Sequence, residues 1–137
     1  MEPTLEVGTH FLVNRLVYRF HEPERGDIVE FKSPVDEEKG FLKRIIAIPG
    51  DEVELRDKKV YLNGKRVEEP YTVYKRAQEH LVGDNLGPLK VPEGCLFVLG
   101  DNRDESDDST TWIDPKTKAR IYYLPMANVK GRLIQVP

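Results

Sequence analysis

The stretch Val60-Tyr61-Leu62-Asn63-Gly64-Lys65-Arg66-Val67 determines the predicted fold class. Asn63-Gly64 separates two short stretches with strand composition. This dipeptide accepts the positive φ angles of the type I′ turn that joins antiparallel strands. The stretch therefore predicts a β-hairpin. On both sides of it, β-branched and aromatic runs recur between glycines and prolines at spacings of about ten residues, which is typical of all-β domains. We predict an all-β fold made of antiparallel sheets.

Seven strands are predicted from these runs, at residues 9–15, 27–32, 41–48, 51–56, 59–62, 95–100 and 129–136. No long amphipathic helix is indicated. Residues 74–81 have the composition of a short helix, but glycines and a proline soon interrupt it. The length of 137 residues suits one domain. We predict a single domain whose core comprises residues 1–51 and 96–137, with a small β insertion at residues 52–95.

Composition excludes several classes of protein. The 21 basic and 24 acidic residues give a formal net charge of −3, which provides no general field to hold a nucleic acid. The single cysteine, Cys95, cannot form an internal disulfide or a cysteine zinc site. The apolar runs, such as residues 45–48, are far shorter than the roughly 18 residues of a membrane span. The chain as given is expected to be soluble.

Lys43 is the first candidate for chemistry. The two-residue period of a strand places Phe41, Lys43 and Ile45 on one face, so the lysine has apolar neighbours. Burial disfavours the charged form of an amine and lowers its pKa, and a neutral lysine can act as a general base. The alternative is an edge-strand lysine whose stem covers apolar surface while its head reaches water. Arg44 points to the opposite face and needs a carboxylate partner if it is buried.

An acidic stretch at residues 101–108 directly follows the apolar strand residues 96–99. Its alternating side chains resemble a calcium loop of the EF-hand type. That interpretation fails because Asp107 stands where the turn needs glycine, and Ile113 stands where a bidentate glutamate is required. A solvated acidic turn remains the alternative, and composition does not decide whether the stretch has a function.

Four blocks of sequence, taken in order and spacing, resemble the type I signal peptidases. They are Met-Glu-Pro-Thr-Leu at 1–5, Arg-Gly-Asp-Ile-Val at 25–29, Leu-Lys-Arg-Ile-Ile with Pro-Gly-Asp at 42–46 and 49–51, and Gly-Asp-Asn-Arg-Asp at 100–104 with Ser106 and Asp108. The resemblance runs along nearly the whole chain and is weakest at residues 64–94. It implies a barrel-like β core and a membrane-associated serine endopeptidase that removes N-terminal signal peptides from secreted preproteins on the extracytoplasmic side.

The resemblance also implies catalytic residues. Lys43 would be the lysine of a serine–lysine dyad, Ser106 would orient its amine by a hydrogen bond, and Asp108 would support Ser106. In the family the nucleophilic serine immediately precedes the methionine of the first block. Its place would be just ahead of Met1, so we expect this sequence to lack the nucleophile and to be inactive. No metal and no cofactor is implied.

Residues that support the site and bind substrate are implied in the same way. Arg44 and Asp101 would form a charged pair that joins two of the blocks. Relatives usually have arginine where Thr110 stands, so we expect Arg103 or Arg120 to be the partner of Asp108 instead. Small side chains of an extended signal peptide would enter shallow pockets formed by Met1, Leu5, Phe11, Phe41 and Leu42.

The expected partners are signal peptides of preproteins and the membrane surface, with Trp112, Tyr122 and Tyr123 as candidate membrane contacts. These aromatic residues could equally cover one end of the core. Two other functions remain open. One is a self-cleaving repressor-type serine–lysine protease, which would need a DNA-binding region that this sequence does not show. The other is a non-catalytic β-barrel module that binds peptides.

Overall fold

Antiparallel strands dominate the computed structural model, which describes Met1 and residues 12–134. The ten strands in this part of the chain are β1 (Leu12–Asn14), β2 (Ile28–Lys32), β3 (Gly40–Ala47), β4 (Glu52–Arg56), β5 (Lys59–Leu62), β6 (Lys65–Arg66), β7 (Leu86–Lys90), β8 (Cys95–Leu99), β9 (Leu124–Pro125) and β10 (Val129–Ile134). Single 3-10 turns lie at Val17–Arg19, Arg103–Glu105 and Met126–Asn128. The predicted all-β class is confirmed.

The strands form two sheets. One has six strands in the order β1-β10-β2-β3-β8-β9, and the other has four in the order β6-β5-β4-β7. All the strand pairs are antiparallel. Among the described residues neither sheet closes on itself, because the first and last strands of each order have one paired neighbour only. The predicted barrel-like core is therefore corrected to two open sheets.

The Asn63-Gly64 hairpin is confirmed. Tyr61 pairs with Arg66 and Leu62 with Lys65 across the turn, and both turn residues have positive φ. The sequence missed β7, because Gly87 and Pro88 look like strand breakers. Gly87 lies close to the neighbouring strand: a Cβ there would be 2.8 Å from the carbonyl oxygen of Val53. Residues 74–81, whose composition suits a short helix, contain a turn and a bend but no helix.

Two apolar clusters lie on either side of β3. The first comprises Val29, Phe31, Ile45, Leu96, Val98, Trp112 and Leu124. The second comprises Ile46, Ala47, Val53, Leu55, Val60, Val91, Phe97 and Leu99. Trp112 is 1% exposed and packs edge-on against Phe31, with 5.8 Å between ring centroids. The prediction that Trp112 contacts a membrane is therefore wrong, because its ring belongs to the core.

Strand pairing brings the segment that carries Lys43 next to the acidic stretch that carries Ser106. Arg44 and Ile45 of β3 pair with Leu99 and Val98 of β8, and the acidic stretch begins directly after β8. Lys43 thus lies on a strand flanked by apolar clusters, next to the loop that carries Ser106. In the part of the chain that the structure describes, no helix is long and apolar enough to cross a membrane.

Candidate active site

The site is centred on a contact between Lys43 and Ser106. The Nζ of Lys43 donates a hydrogen bond of 3.0 Å to the Oγ of Ser106, although 63 positions separate the two residues. The same Nζ lies 5.5 Å from the centroid of the Phe41 ring. The expected hydrogen bond between lysine and serine is therefore present.

Burial controls the proton affinity of Lys43. The residue is 8% exposed, and removal from water lowers the pKa of its amine below the ordinary value. The carboxylates of Asp108, Asp107 and Asp101 oppose this effect and raise the pKa. Because burial outweighs the three carboxylates, Lys43 releases its proton more readily than a lysine in water does. Of the two alternatives for Lys43, the structure favours the buried amine over the one whose head reaches water.

Asp108 holds the loop around Ser106. The carboxylate is 1% exposed, and its Oδ2 accepts a hydrogen bond of 3.0 Å from the backbone N–H of Gly100. Its Oδ1 accepts bonds from the backbone N–H of Thr110 at 2.9 Å and from the Thr110 hydroxyl at 2.7 Å. These bonds tie the end of β8 to the segment beyond Ser106, so they close the loop on itself.

The expected arginine partner of Asp108 is corrected to Thr110. Arg103 donates instead to the carbonyl of Gly100 at 2.8 Å and pairs with Glu69, and both side chains of that pair are almost completely buried. Arg120 donates to the carbonyl of Thr110. The Thr110 hydroxyl reaches the Asp108 carboxylate directly, whereas the guanidinium groups of Arg103 and Arg120 bind other partners.

Arg44 and Asp101 form the predicted charged pair. Nε and Nη2 of Arg44 donate to the two carboxylate oxygens of Asp101 at 2.9 and 2.8 Å, the bidentate arrangement that an arginine and a carboxylate favour. The guanidinium also lies 3.8 Å from the ring centroid of Tyr71. This pair fastens β3 to the start of the loop that carries Ser106.

The predicted substrate-binding residues are only partly described. The backbone N–H of Asp101 contacts the Sδ of Met1 at 3.4 Å, which places Met1 beside the Ser106 loop. Phe41 and Leu42 are half-buried on β3 beside Lys43, and Leu42 pairs with Glu30 of β2. Leu5 and Phe11 lie outside the described residues, so their predicted role is not tested.

Sequence reasoning missed three residues of the predicted insertion that contact the site arginines or the loop that carries Ser106. Glu69 and Tyr71 contact two of the site arginines, and Lys58 contacts Asp104. All three lie in or near the region where the resemblance is weakest, and a single sequence carries no signal that pairs them with residues 100–104. For Thr110, the sequence showed only that threonine stands where relatives usually have arginine.

Comparison with known proteins identifies the family. A sequence model described as "Signal peptidase, peptidase S26" matches residues 1–136. The chain belongs to this signal peptidase family. It is 41% identical to signal peptidase I of Bacillus licheniformis over 125 residues, which cover 88% of this chain and 67% of that protein. It is 33% identical to signal peptidase I of Pseudomonas aeruginosa over 172 aligned positions, covering 99% of this chain and 61% of that protein.

A solved structure agrees with the family assignment. The crystal structure of a signal peptidase I from Enterococcus faecalis matches with a TM-score of 0.63 and 34% identity, covering 83% of this chain and 98% of that chain. The chain spans about half to two thirds of the length of several curated relatives. The resemblance to signal peptidases that the four sequence blocks indicate is confirmed.

Proposed function

We propose that this chain is the catalytic region of a type I signal peptidase, a serine endopeptidase that removes N-terminal signal peptides from secreted preproteins. The observation that carries the proposal is the buried Lys43, whose Nζ lies 3.0 Å from Ser106 Oγ. A strand-held amine with a lowered pKa is the group that a serine nucleophile needs as its base.

Lys43 acts as the general base and then as the general acid. The neutral amine takes the proton of the nucleophilic serine hydroxyl as the serine oxygen attacks the scissile carbonyl of the peptide. The resulting ammonium returns that proton to the leaving amine when the carbon–nitrogen bond breaks. Ser106 keeps the lone pair of Lys43 aimed at the nucleophile through its hydrogen bond, as the third member of a triad does.

The nucleophile in this proposal is a serine immediately before Met1. The contact between Met1 and Asp101 supports this position, because it brings the start of the described chain next to Gly100. A Cβ built on Gly100 would lie 3.3 Å from Lys43 Nζ, so this backbone borders the amine directly.

The substrate in this proposal is an extended signal peptide with small side chains near the cut. It adds as a strand beside the site, with Met1, Phe41 and Leu42 in the walls of its pockets. Leu5 and Phe11 belong to the same proposal from sequence alone. The intact protein is proposed to be anchored in the cell membrane with this domain on the extracytoplasmic side, against the membrane surface.

The test restores the serine. The chain extended by Pro-Ser-Gly-Ser ahead of Met1 is expected to cleave a signal peptide after Ala-x-Ala, whereas the chain without the extension does not. Two matched controls are the extension ending in alanine and the complete extension with Lys43→Ala, and both are expected to be inactive. Mass spectrometry of the products gives the cleavage position.

Other outcomes would assign a different function. Cleavage by the chain with the alanine-ending extension would show that the serine ahead of Met1 is not the nucleophile, and Ser106→Ala would then test Ser106 in that role. Peptide binding without any rate enhancement by the folded, serine-restored protein would indicate a binding module. Cleavage of its own chain without cleavage of signal peptides would indicate the self-cleaving class.

A further inference from the structure

The loop that carries Ser106 borders a cavity of about 200 Å³ between the two sheets. Its walls include Ser106 and Asp108 from the loop, Leu55 from β4, Lys58 from the turn after β4, and Gly83 from the segment before β7. A loop beside a cavity has fewer packing contacts on that side than a close-packed loop does. Directional polar contacts must therefore fix its position there.

Lys58 supplies one group of these contacts from the turn between β4 and β5. Its side chain is 7% exposed, and its Nζ lies 2.7 Å from Asp104 Oδ1 and 3.4 Å from Asp84 Oδ2. The same Nζ donates to the carbonyl of Arg76 at 3.1 Å. Burial disfavours the charge on Lys58, but the bond to Asp104 and the two carboxylates outweigh it and keep its pKa above the ordinary value.

The partners of Lys58 lie in two other segments of the chain. Asp104 lies in the 3-10 turn two residues before Ser106, and its Oδ2 also accepts from the backbone N–H of Arg76 at 2.8 Å. Asp84 accepts from the backbone N–H of Leu81 at 2.8 Å. One buried ammonium therefore joins the β4–β5 turn, residues 76–84 and the Ser106 loop at a single point.

We propose that Lys58 is a positioning residue that holds Asp104, and through it Ser106, at hydrogen-bond distance from Lys43. This inference rests on the proposed function, since it gives the small insertion a task in the same reaction. A buried ion pair contributes little net stability compared with apolar residues of similar size, but it fixes the relative position of the segments that it joins. Replacement of Lys58 is therefore expected to disturb the contact between Lys43 and Ser106 by more than the accompanying loss of folding stability explains.

The first experiment needs no catalytic activity. Lysine labelled with carbon-13 at Cε is incorporated into the chain as given, and the Lys43 signal is assigned by its absence in Lys43→Arg. Lys58→Met removes the ammonium that holds the Ser106 loop, so the loop is expected to loosen. Water then reaches the Lys43 amine, and the titration midpoint of Lys43 is expected to rise. Arg56→Met is the matched control, because it removes the same charge from the same hairpin at an exposed pair with Glu54, and it should leave the midpoint unchanged.

A second variant keeps the proposal testable if Lys58→Met does not fold, since that change leaves two buried carboxylates without their cation. Asp104→Asn keeps Asp84 as a partner for Lys58 and is expected to shift the Lys43 midpoint in the same direction by a smaller amount. Thermal unfolding of each variant shows that the folded protein is being titrated. An unchanged Lys43 midpoint in folded Lys58→Met and in Asp104→Asn would overturn the proposal.

The second experiment uses the serine-restored chain. Lys58→Met is expected to lower kcat about tenfold with KM within about twofold, and to have no further effect when Ser106→Ala is already present. An equal loss in both backgrounds would show that Lys58 acts on general folding and not through Ser106. If the restored chain shows no activity at all, the proposed function fails, while the titration of Lys43 still tests the link between Lys58 and the site.

Discussion

Lys43 and Ser106 touch, but different forces hold them. Lys43 lies on β3, which has apolar clusters on both faces, so packing fixes its backbone. Ser106 lies on a loop beside a cavity, where Asp108, Thr110 and Lys58 hold the chain by hydrogen bonds and ion pairs. Substitutions in the strand that carries Lys43 and in the loop that carries Ser106 should therefore have different measurable effects. Strand changes should alter global stability, whereas loop changes should alter chemistry in a protein that remains folded.

The largest expected effect tests the strand side. Ile45→Ala removes a side chain that is 1% exposed in the first core cluster, and large-to-small changes of this kind cost about 2–5 kcal/mol. Urea unfolding should show that loss, while kcat of the fraction still folded in the serine-restored chain changes little. A large fall in kcat without a stability loss would break the distinction between the two sides.

Gly100→Ala tests the loop side at its closest approach to Lys43. A Cβ at this position would overlap the Ser106 hydroxyl and lie 2.8 Å from the Ser106 Cβ, so Ser106 must move away. We expect kcat to fall roughly 100-fold, equivalent to about 2.7 kcal/mol, with a much smaller loss of stability. Gly40→Ala is the control, because its Cβ would meet only the Phe31 carbonyl at an ordinary 3.7 Å.

Thr110→Val sharpens the comparison within the loop. Valine has nearly the same shape but removes the hydroxyl that donates to Asp108 at 2.7 Å. We expect kcat to fall about tenfold, because a buried carboxylate loses a partner worth about 1–3 kcal/mol. Thr110→Ser keeps the hydroxyl and should stay close to the parent in steady-state assays. A loss in Thr110→Ser as large as the loss in Thr110→Val would contradict this assignment, because serine keeps the hydroxyl.

The smallest expected effect concerns pH. Asp107 raises the pKa of Lys43, in opposition to burial. In the proposed mechanism Lys43 must be neutral to act as the base, so activity is expected to rise as the pH passes upward through the pKa of Lys43. Asp107→Asn removes a negative charge, lowers that pKa, and should move the rising limb of the kcat profile to lower pH. Glu37→Gln, an equal charge change at an exposed position, should leave the profile in place.

The sequence predicted features that depend on local patterns. The Asn63-Gly64 turn, the alternation along β3 and the fold class follow from residues close together in the chain. The Arg44–Asp101 pair was predictable because both residues belong to blocks of the family. The closure of the sheets was predicted wrongly, since turn chemistry and strand periodicity do not determine whether edge strands meet.

The remaining features depend on contacts between distant residues. The position of Trp112 in the core follows from its packing against Phe31, which the composition of its own segment does not indicate. Lys58 and Asp104 are 46 positions apart, so no local pattern joins them. For the same reason, the replacement of an arginine by Thr110 was visible in the sequence while its consequence for Asp108 was not.

The placement of β3 between two apolar clusters also affects the order in which the site comes apart. Backbone amides of such a strand exchange their hydrogens mainly through global unfolding, whereas those of a loop held by polar contacts exchange through smaller openings. On mild warming the Ser106 loop should open first, while Lys43 keeps its strand and its neighbours. The proposed activity of the serine-restored chain would then disappear reversibly below the melting temperature, with Lys43 still in position when the loop closes again.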